Sequence, residues 1–289
     1  MLYLVATILL NVVISALFKV FPKYKIDTLQ AIVTNYCVCV VTGSLFIGHL
    51  PYSSGAFHAA WFPWALLMGA CFISIFNLLA FCTRIDGITT TTISNKLSLV
   101  IPVLFSIFLY HDRAGIGKIA GIILAFPAVY LTSRVKDEHN KPQNLFWPAL
   151  LFLFSGLLDT LMTYVQYRFL DTPEVQATYT IYCFSVAATL GITLVSVLLL
   201  TKKIAFQWRN VVAGICVGVP NYFSIYFLIR ALNSNIMQSS ATIPVINIGI
   251  LVASSLMALL FFREKANSLR IIGLILSVVA IALIAFGDK

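Results

Sequence analysis

The sequence predicts an all-α membrane protein whose ten transmembrane helices form two inverted repeats of five helices. Composition is the first observation behind this prediction: of 289 residues, 60% are apolar and 10% are charged. A soluble domain has about 45–50% apolar and about 25% charged residues. The composition therefore excludes a soluble enzyme and makes the lipid bilayer the expected surroundings. The net charge of +9 is expected in cytoplasmic loops rather than on a face that binds nucleic acid.

The second observation is the number of apolar runs that are long enough to cross a bilayer. A helix needs about 20 apolar residues to span the hydrocarbon core, and short polar segments separate the runs. We expect no signal peptide, because no basic segment precedes the first run. The ten runs are 2–18, 28–48, 61–83, 88–110, 115–132, 145–167, 175–200, 208–229, 237–262 and 269–286.

The third observation is an internal repeat. Residues 30–40 and 176–186 share six identities in eleven positions, at an offset of 146. Residues 112–121 match 264–273 at an offset of 152. The second half therefore has six extra residues before Glu264, so we expect its fourth helix, the ninth of the chain, to be longer or less regular than the fourth.

The repeat defines the domain organisation. We assign residues 1–134 to the first five-helix repeat, 135–144 to a connecting loop and 145–289 to the second repeat, all within one integral membrane unit. Because five is odd, the second repeat starts from the opposite side of the membrane and is inverted. Inverted repeats are typical of secondary transporters, whose substrate sites lie near the midplane.

With these features the chain resembles the EamA-type branch of the drug/metabolite transporter superfamily. The resemblance covers the whole chain and rests on the two five-helix halves and on the acidic turns after the fourth and ninth helices. Those turns carry Asp112 and Glu264, and each is followed by a helix that contains glycine. The resemblance implies that the fourth and ninth helices line the cavity and that both termini are cytoplasmic.

The distribution of Lys and Arg predicts the opposite orientation. Thirteen of these residues lie in the odd-numbered loops, whereas five lie in the even-numbered loops and at the ends of the chain. Since cytoplasmic loops are enriched in Lys and Arg, the count places both termini outside the cytoplasm. We expect the protein in a bacterial inner (plasma) membrane. The sequence makes no prediction of its oligomeric state.

Two charged residues lie well inside predicted spans. A charge near the centre of a membrane helix costs about 2.5–3.5 kcal/mol, so such residues are candidates for function. Lys96 is suited to binding an anionic group of a substrate, although it could instead extend its ammonium to the interface. Asp159 is suited to carrying a coupling proton, and a role in helix packing through hydrogen bonds to Ser155, Thr163 or Tyr164 is as well supported. Their expected depths differ by about 9 Å at 1.5 Å per residue, so a direct pair would require a tilt or shift of one helix.

The remaining candidates are uncharged polar residues in the spans. Asn11 lies on one helix face with Thr7 and Ser15, and Asp159 likewise lies with Ser155 and Thr163. For each of the other candidates, a role in helix packing is as well supported as substrate binding. These candidates are Asn77, Asn221, Tyr222 and Asn247.

The sequence supplies no catalytic or metal-binding set. The four histidines are scattered through loops, the six cysteines lie in apolar runs, and no phosphate-binding loop is present. We therefore predict no cofactor, no metal and no enzymatic activity. The predicted function is secondary active transport, by alternating access, of a small polar or amphipathic metabolite such as an amino acid or an organic anion. An intramembrane enzyme that acts on a lipid or isoprenoid carrier is the alternative.

The loop charges make a testable prediction about topology. A reporter fused after Lys289 should be extracytoplasmic, as should the loop that contains His49 and His58, because the basic loops stay in the cytoplasm. Paired alkaline phosphatase and green fluorescent protein fusions measure both positions. Cytoplasmic signals at both would show that the orientation implied by the family resemblance is the correct one.

Overall fold

The structure is a computed structural model, and it describes residues 2–48, 50, 52, 54–110, 115–133, 145–170, 172–232, 239–263 and 267–286. Within these residues the chain forms α-helices and short 3₁₀ helices, and no β-strand. The 3₁₀ helices are Phe21–Tyr24 and Ser54–His58. The α-helices are α1 (Leu2–Val20), α2 (Thr28–Ile47), α3 (Phe62–Ile85), α4 (Gly87–Leu97), α5 (Val100–Tyr110), α6 (Ile116–Ser133), α7 (Phe146–Phe169), α8 (Pro173–Leu200), α9 (Trp208–Leu232), α10 (Ser239–Phe261) and α11 (Ser268–Phe286).

This architecture confirms the coarse prediction of an all-α membrane protein. In the described part of the chain, six helical segments are long and apolar enough to cross a membrane, and four further apolar segments are shorter. Each predicted run coincides with one helix, except for 88–110, which is divided between α4 and α5. The arrangement as two inverted repeats of five transmembrane helices remains a prediction.

Local sequence signals explain the ends of several helices. The Asp27 side chain accepts a hydrogen bond from the backbone N–H of Gln30 and so caps the start of α2. Gly48 ends the same helix at φ 81°, a left-handed conformation that glycine adopts without a steric penalty. Thr172 caps α8 in the same way, and Pro173 follows it in the first helical position.

The fourth run is interrupted at Ser98 and Leu99, which separate α4 from α5. Pro102 accounts for the interruption, because proline has no N–H to donate to the carbonyl four residues earlier and its ring clashes there. The carbonyl of Ser98 instead accepts a bond of 2.9 Å from the N–H of Ile101. We expected the ninth helix to be longer or less regular than the fourth, and α10 is continuous over the 23 residues Ser239–Phe261, whereas α4 has 11. Residues 233–238, which precede it, lie outside the described part.

The helices form two compact units, and each unit combines segments from both halves of the sequence. The larger unit comprises Met1–Lys19, Leu78–Asp159 and Phe223–Lys289. The smaller unit comprises Val20–Asn77 and Thr160–Tyr222. The predicted repeats therefore do not coincide with the compact units.

Within the larger unit, α6 packs against α11 and α4 packs against α10. Gly121 allows α6 to approach α11 closely, since a Cβ at this position would lie 2.8 Å from the carbonyl oxygen of Ala280. Ile93, Leu97 and Leu251 are fully buried in the resulting core. Packing in a membrane depends on such close contact, because lipid tails are as apolar as the side chains they replace.

Within the smaller unit, α2 packs against α8. The helix α9 approaches the other side of α2 through Gly214 and Gly218, where a Cβ would lie 2.6 Å and 2.9 Å from the carbonyl oxygens of Ala31 and Asn35. The amide of Asn210 joins the ends of these two helices, because its Nδ2 donates to Gln30 Oε1 over 3.0 Å.

Asp86 is a buried carboxylate in the turn between α3 and α4, and it is 5% exposed. It stands at the N-cap position of α4 but makes no capping hydrogen bond, and its Oδ2 is buried without a hydrogen-bond partner. Burial raises the pKa of Asp86 to about 6, whereas the charge of Lys19 opposes this shift. Folding therefore makes the Asp86 carboxyl easier to protonate than in the unfolded chain, although the carboxylate still predominates at pH 7.

This shift predicts a pH dependence of stability. Because the pKa is about 6 in the folded protein and 3.8 ordinarily, the free energy of unfolding should fall as the pH rises from about 4 to about 6. Asp86→Asn should flatten this slope and stabilise the protein at pH 7 by up to about 3 kcal/mol. Thermal unfolding in detergent at a series of pH values measures both effects. Glu174→Gln, at an exposed acid of α8, is the control, and an unchanged slope in Asp86→Asn would contradict the assignment.

Candidate functional site

Lys96 lies in the last turn of α4, directly before the interruption of the fourth run. Its side chain is half-buried. The helix that carries it is unusually polar on its buried surface: Thr89, Thr90 and Ser94 are at most 2% exposed. Lys96 therefore lies near the end of a polar helix that is interrupted, and not within a regular apolar helix.

The helix α7 packs directly on this interruption. A Cβ on Gly156 would lie 2.7 Å from the carbonyl oxygen of Ser98 and 2.4 Å from Cδ1 of Ile101. Only glycine fits this contact without displacing its neighbours. Ser155, which is 2% exposed, accepts a hydrogen bond of 3.0 Å at its Oγ from Nδ2 of Asn95. This bond joins α4 and α7 beside Lys96.

Asp159 lies one helical turn after Ser155 on the same face of α7. Its side chain is exposed at the surface of the protein. The exposed apolar side chains Leu153, Phe154 and Leu157 lie on other faces of the helix. The accessibility of Asp159 is therefore not a consequence of lying on the outer apolar face.

Lys96 and Asp159 lie on two helices that the structure joins, although helix lengths alone predicted different depths for the two residues. The hydrogen bond from Asn95 to Ser155 links α4 to α7 one residue before Lys96 and one helical turn before Asp159. The pair belongs to the larger unit, together with Asn11 and Asn247.

The predicted polar stripe of α1 is present, but its hydrogen bonds stay within the helix. Thr7 Oγ1 donates to the carbonyl of Tyr3, Asn11 Nδ2 donates to that of Thr7, and Ser15 Oγ donates to that of Asn11. Each bond spans 2.9–3.1 Å. Such bonds satisfy polar groups in a membrane helix without a ligand. Thr163, predicted for the equivalent stripe of α7, lies outside the described side chains.

Asn221 belongs to the smaller unit and makes buried contacts between helices. Its Nδ2 donates to Asn35 Oδ1 over 3.1 Å and contacts Cys39 Sγ at 3.6 Å. Asn35 is 0% exposed, and its Nδ2 has no hydrogen-bond partner. This group joins α2 to α9 and favours the packing interpretation of Asn221.

The other predicted site residues are placed separately. Asn77 and Tyr222 belong to the smaller unit: Asn77 Nδ2 donates to the carbonyl of Ile73 over 2.7 Å, and the ring of Tyr222 lies 6.1 Å from that of Phe46. Asn247 is half-buried in α10 of the larger unit, next to the buried Ile246. Of the predicted candidates in the larger unit, Lys96 and Asp159 are thus the two that lie beside a hydrogen bond between two helices.

Two residues of this site escaped the sequence analysis, namely Asn95 and Gly156. Pro102 is the signal that could have indicated them, because a proline inside a membrane span predicts a break four residues earlier. Among the described residues, no cluster of three His, Cys, Asp or Glu could hold a metal ion. The arrangement can bind a charged or polar solute, and it can hold a proton on Asp159.

The proteins found by comparison match nearly the full length of this chain, and their names give no activity. No family model matches the chain. An uncharacterized protein of Haemophilus influenzae is 25% identical over 295 residues, which cover 99% of this chain and 98% of that protein. A protein crystal structure aligns with a TM-score of 0.57 and 14% identity over 96% of each chain. This last likeness is one of fold alone.

Proposed function

We propose that this protein is a secondary active transporter of the EamA-type branch, which moves a small polar or amphipathic metabolite across a bacterial inner membrane by alternating access. The substrate class is an amino acid or an organic anion. The observation that carries the proposal is the placement of two ionisable residues, Lys96 and Asp159, on helices that a hydrogen bond joins beside an interruption of the fourth run. Ionisable residues and broken helices inside a membrane protein are features of substrate and ion pathways.

The packing of the helices supports the ten-helix inverted repeat that we propose for this transporter. The contacts between α2 and α8, α4 and α10, and α6 and α11 each join a helix to its counterpart at an offset of 146 or 152. Copies related by a pseudo-two-fold axis meet their counterparts near that axis. The structure also has contacts between α10 and α11, between α4 and α6, and between α4 and α11, so the counterpart contacts support the repeat without being exclusive to it.

The two charges have different roles in the proposed cycle. The Lys96 ammonium binds an anionic group of the solute, as a compact charge with three donors. Asp159 accepts a proton when the site opens to one side and releases it on the other, so that solute movement is coupled to a proton gradient. Asn247, half-buried in the same unit, supplies an amide group for hydrogen bonds to the solute.

Purified protein in sealed liposomes tests the proposal. A thermal-shift screen of amino acids, organic anions and nucleotide-like solutes identifies a ligand, since a ligand that binds the folded state raises the unfolding temperature. The labelled ligand is then followed across the membrane, and its chemical identity is checked by mass spectrometry. We expect movement without chemical change. Conversion of the compound would favour an intramembrane enzyme instead.

Lys96→Ala should weaken binding of the screened ligand by about 10-fold to 100-fold, because a hydrogen bond to a charged group contributes about 1.5–3 kcal/mol. Lys96→Arg should restore part of the loss, since its planar group presents its donors differently. Isothermal calorimetry measures both variants. Lys23→Ala, a lysine of the first loop, is the matched control. Wild-type affinity in Lys96→Ala would mean that Lys96 does not bind the solute.

Asp159→Asn should abolish accumulation against a gradient and remove the pH dependence of uptake, while exchange of solute across the membrane persists. Asparagine keeps the size of the side chain but cannot ionise. Uptake into liposomes with an imposed pH gradient measures the change. Asp86→Asn is the matched control and should retain coupling. Accumulation by Asp159→Asn with the wild-type pH profile would exclude Asp159 as the proton carrier.

A further inference from the structure

We infer that Asn95 and Ser155 are positioning residues, whose hydrogen bond sets the separation between Lys96 and Asp159. This inference rests on the proposed function, in which those two charges contact the transported solute and the proton. Asn95 immediately precedes Lys96, and Ser155 precedes Asp159 by one helical turn. The bond between them therefore lies beside both charges, on the two helices that carry them.

The register between α4 and α7 requires such a bond. Gly156 determines how closely the helices approach, because its backbone lies against Ser98 and Ile101. Contact through a residue with no side chain does not prevent one helix from sliding along the other. The bond of 3.0 Å from Asn95 Nδ2 to Ser155 Oγ fixes that remaining freedom. Ser155 is 2% exposed, so water does not compete for the bond.

The interruption after Lys96 makes this restraint more important. In a continuous helix, the residues after Lys96 would be held by regular backbone bonds to the preceding turn. Here Pro102 cannot donate to the carbonyl of Ser98, and the Ser98 hydroxyl donates to the carbonyl of Asn95. One regular backbone bond is therefore lost just after α4, and the bond from Asn95 to Ser155 adds a restraint there that reaches α7.

A double-mutant cycle measures the coupling without a ligand. The full-length protein in detergent is unfolded thermally with Lys96→Met, with Asp159→Asn and with both changes. If the two charges interact, the shifts in midpoint are not additive. The cycle is then repeated in a Ser155→Ala background. We expect the non-additive part of the shift to fall by about half or more, because the charges are no longer held in register.

Two further backgrounds separate positioning from general destabilisation. Ser155→Thr retains the hydroxyl and should retain the coupling. Ser277→Ala is the matched control, since it removes a fully buried serine hydroxyl that donates to the carbonyl of Gly273 in its own helix. It should lower the midpoints of all four proteins equally and leave the coupling unchanged. If Ser155 had only a structural role, Ser155→Ala would likewise lower all four midpoints equally and leave the coupling unchanged.

Each remaining outcome decides the inference. Unchanged coupling in Ser155→Ala overturns it, and so does the absence of coupling between Lys96 and Asp159 in the wild-type background. If Ser155→Ala gives no folded protein, Asn95→Ala tests the same bond from α4. The measurement needs no solute, so failure of the transport proposal is seen separately in liposomes.

Discussion

The hydrocarbon core of a membrane offers no hydrogen-bond partner, and the other features of this protein follow from that constraint. Polar groups inside the spans must be satisfied within the protein. Several of the described hydroxyls meet the requirement locally, by donating to a carbonyl four residues earlier, as Thr7, Thr34 and Ser277 do. Residues of this kind carry little information about function. The informative polar residues are those whose bonds connect different helices.

Two such connections stand out, and they have different consequences. Asn221 and Asn35 join α9 to α2 around a thiol, with no charge in the group, so their effect is on packing. Asn95 and Ser155 join α4 to α7 next to two ionisable side chains. A charge pair in low dielectric interacts strongly, and its strength depends on separation. The second connection therefore affects chemistry as well as structure.

Hydropathy predicts the helices of this protein well, because crossing a bilayer demands a length of apolar sequence that few other structures need. It cannot predict the partners of the polar side chains, which depend on how helices pack. Asn35 is absent from the pattern that the two halves share, because its counterpart at the offset of 146 is Ile181. Pro102 indicates a break in the helix from the sequence alone, but the contact of Gly156 with that break is seen only in the structure.

Neither Lys96 nor Asp159 has a charged counterpart at the corresponding position in the other half of the sequence. At an offset of 152, Asn95 corresponds to Asn247, whereas Lys96 corresponds to Ile248. At an offset of 146, Asp159 corresponds to Val13, an exposed apolar residue of α1. In the proposed arrangement, each repeat thus contributes one charge that the other lacks. The proposed transporter needs similar helices in both repeats to reverse its opening, but a bound solute has distinct ends. A cation on one proposed repeat and an acid on the other would give the symmetric framework a site with a direction.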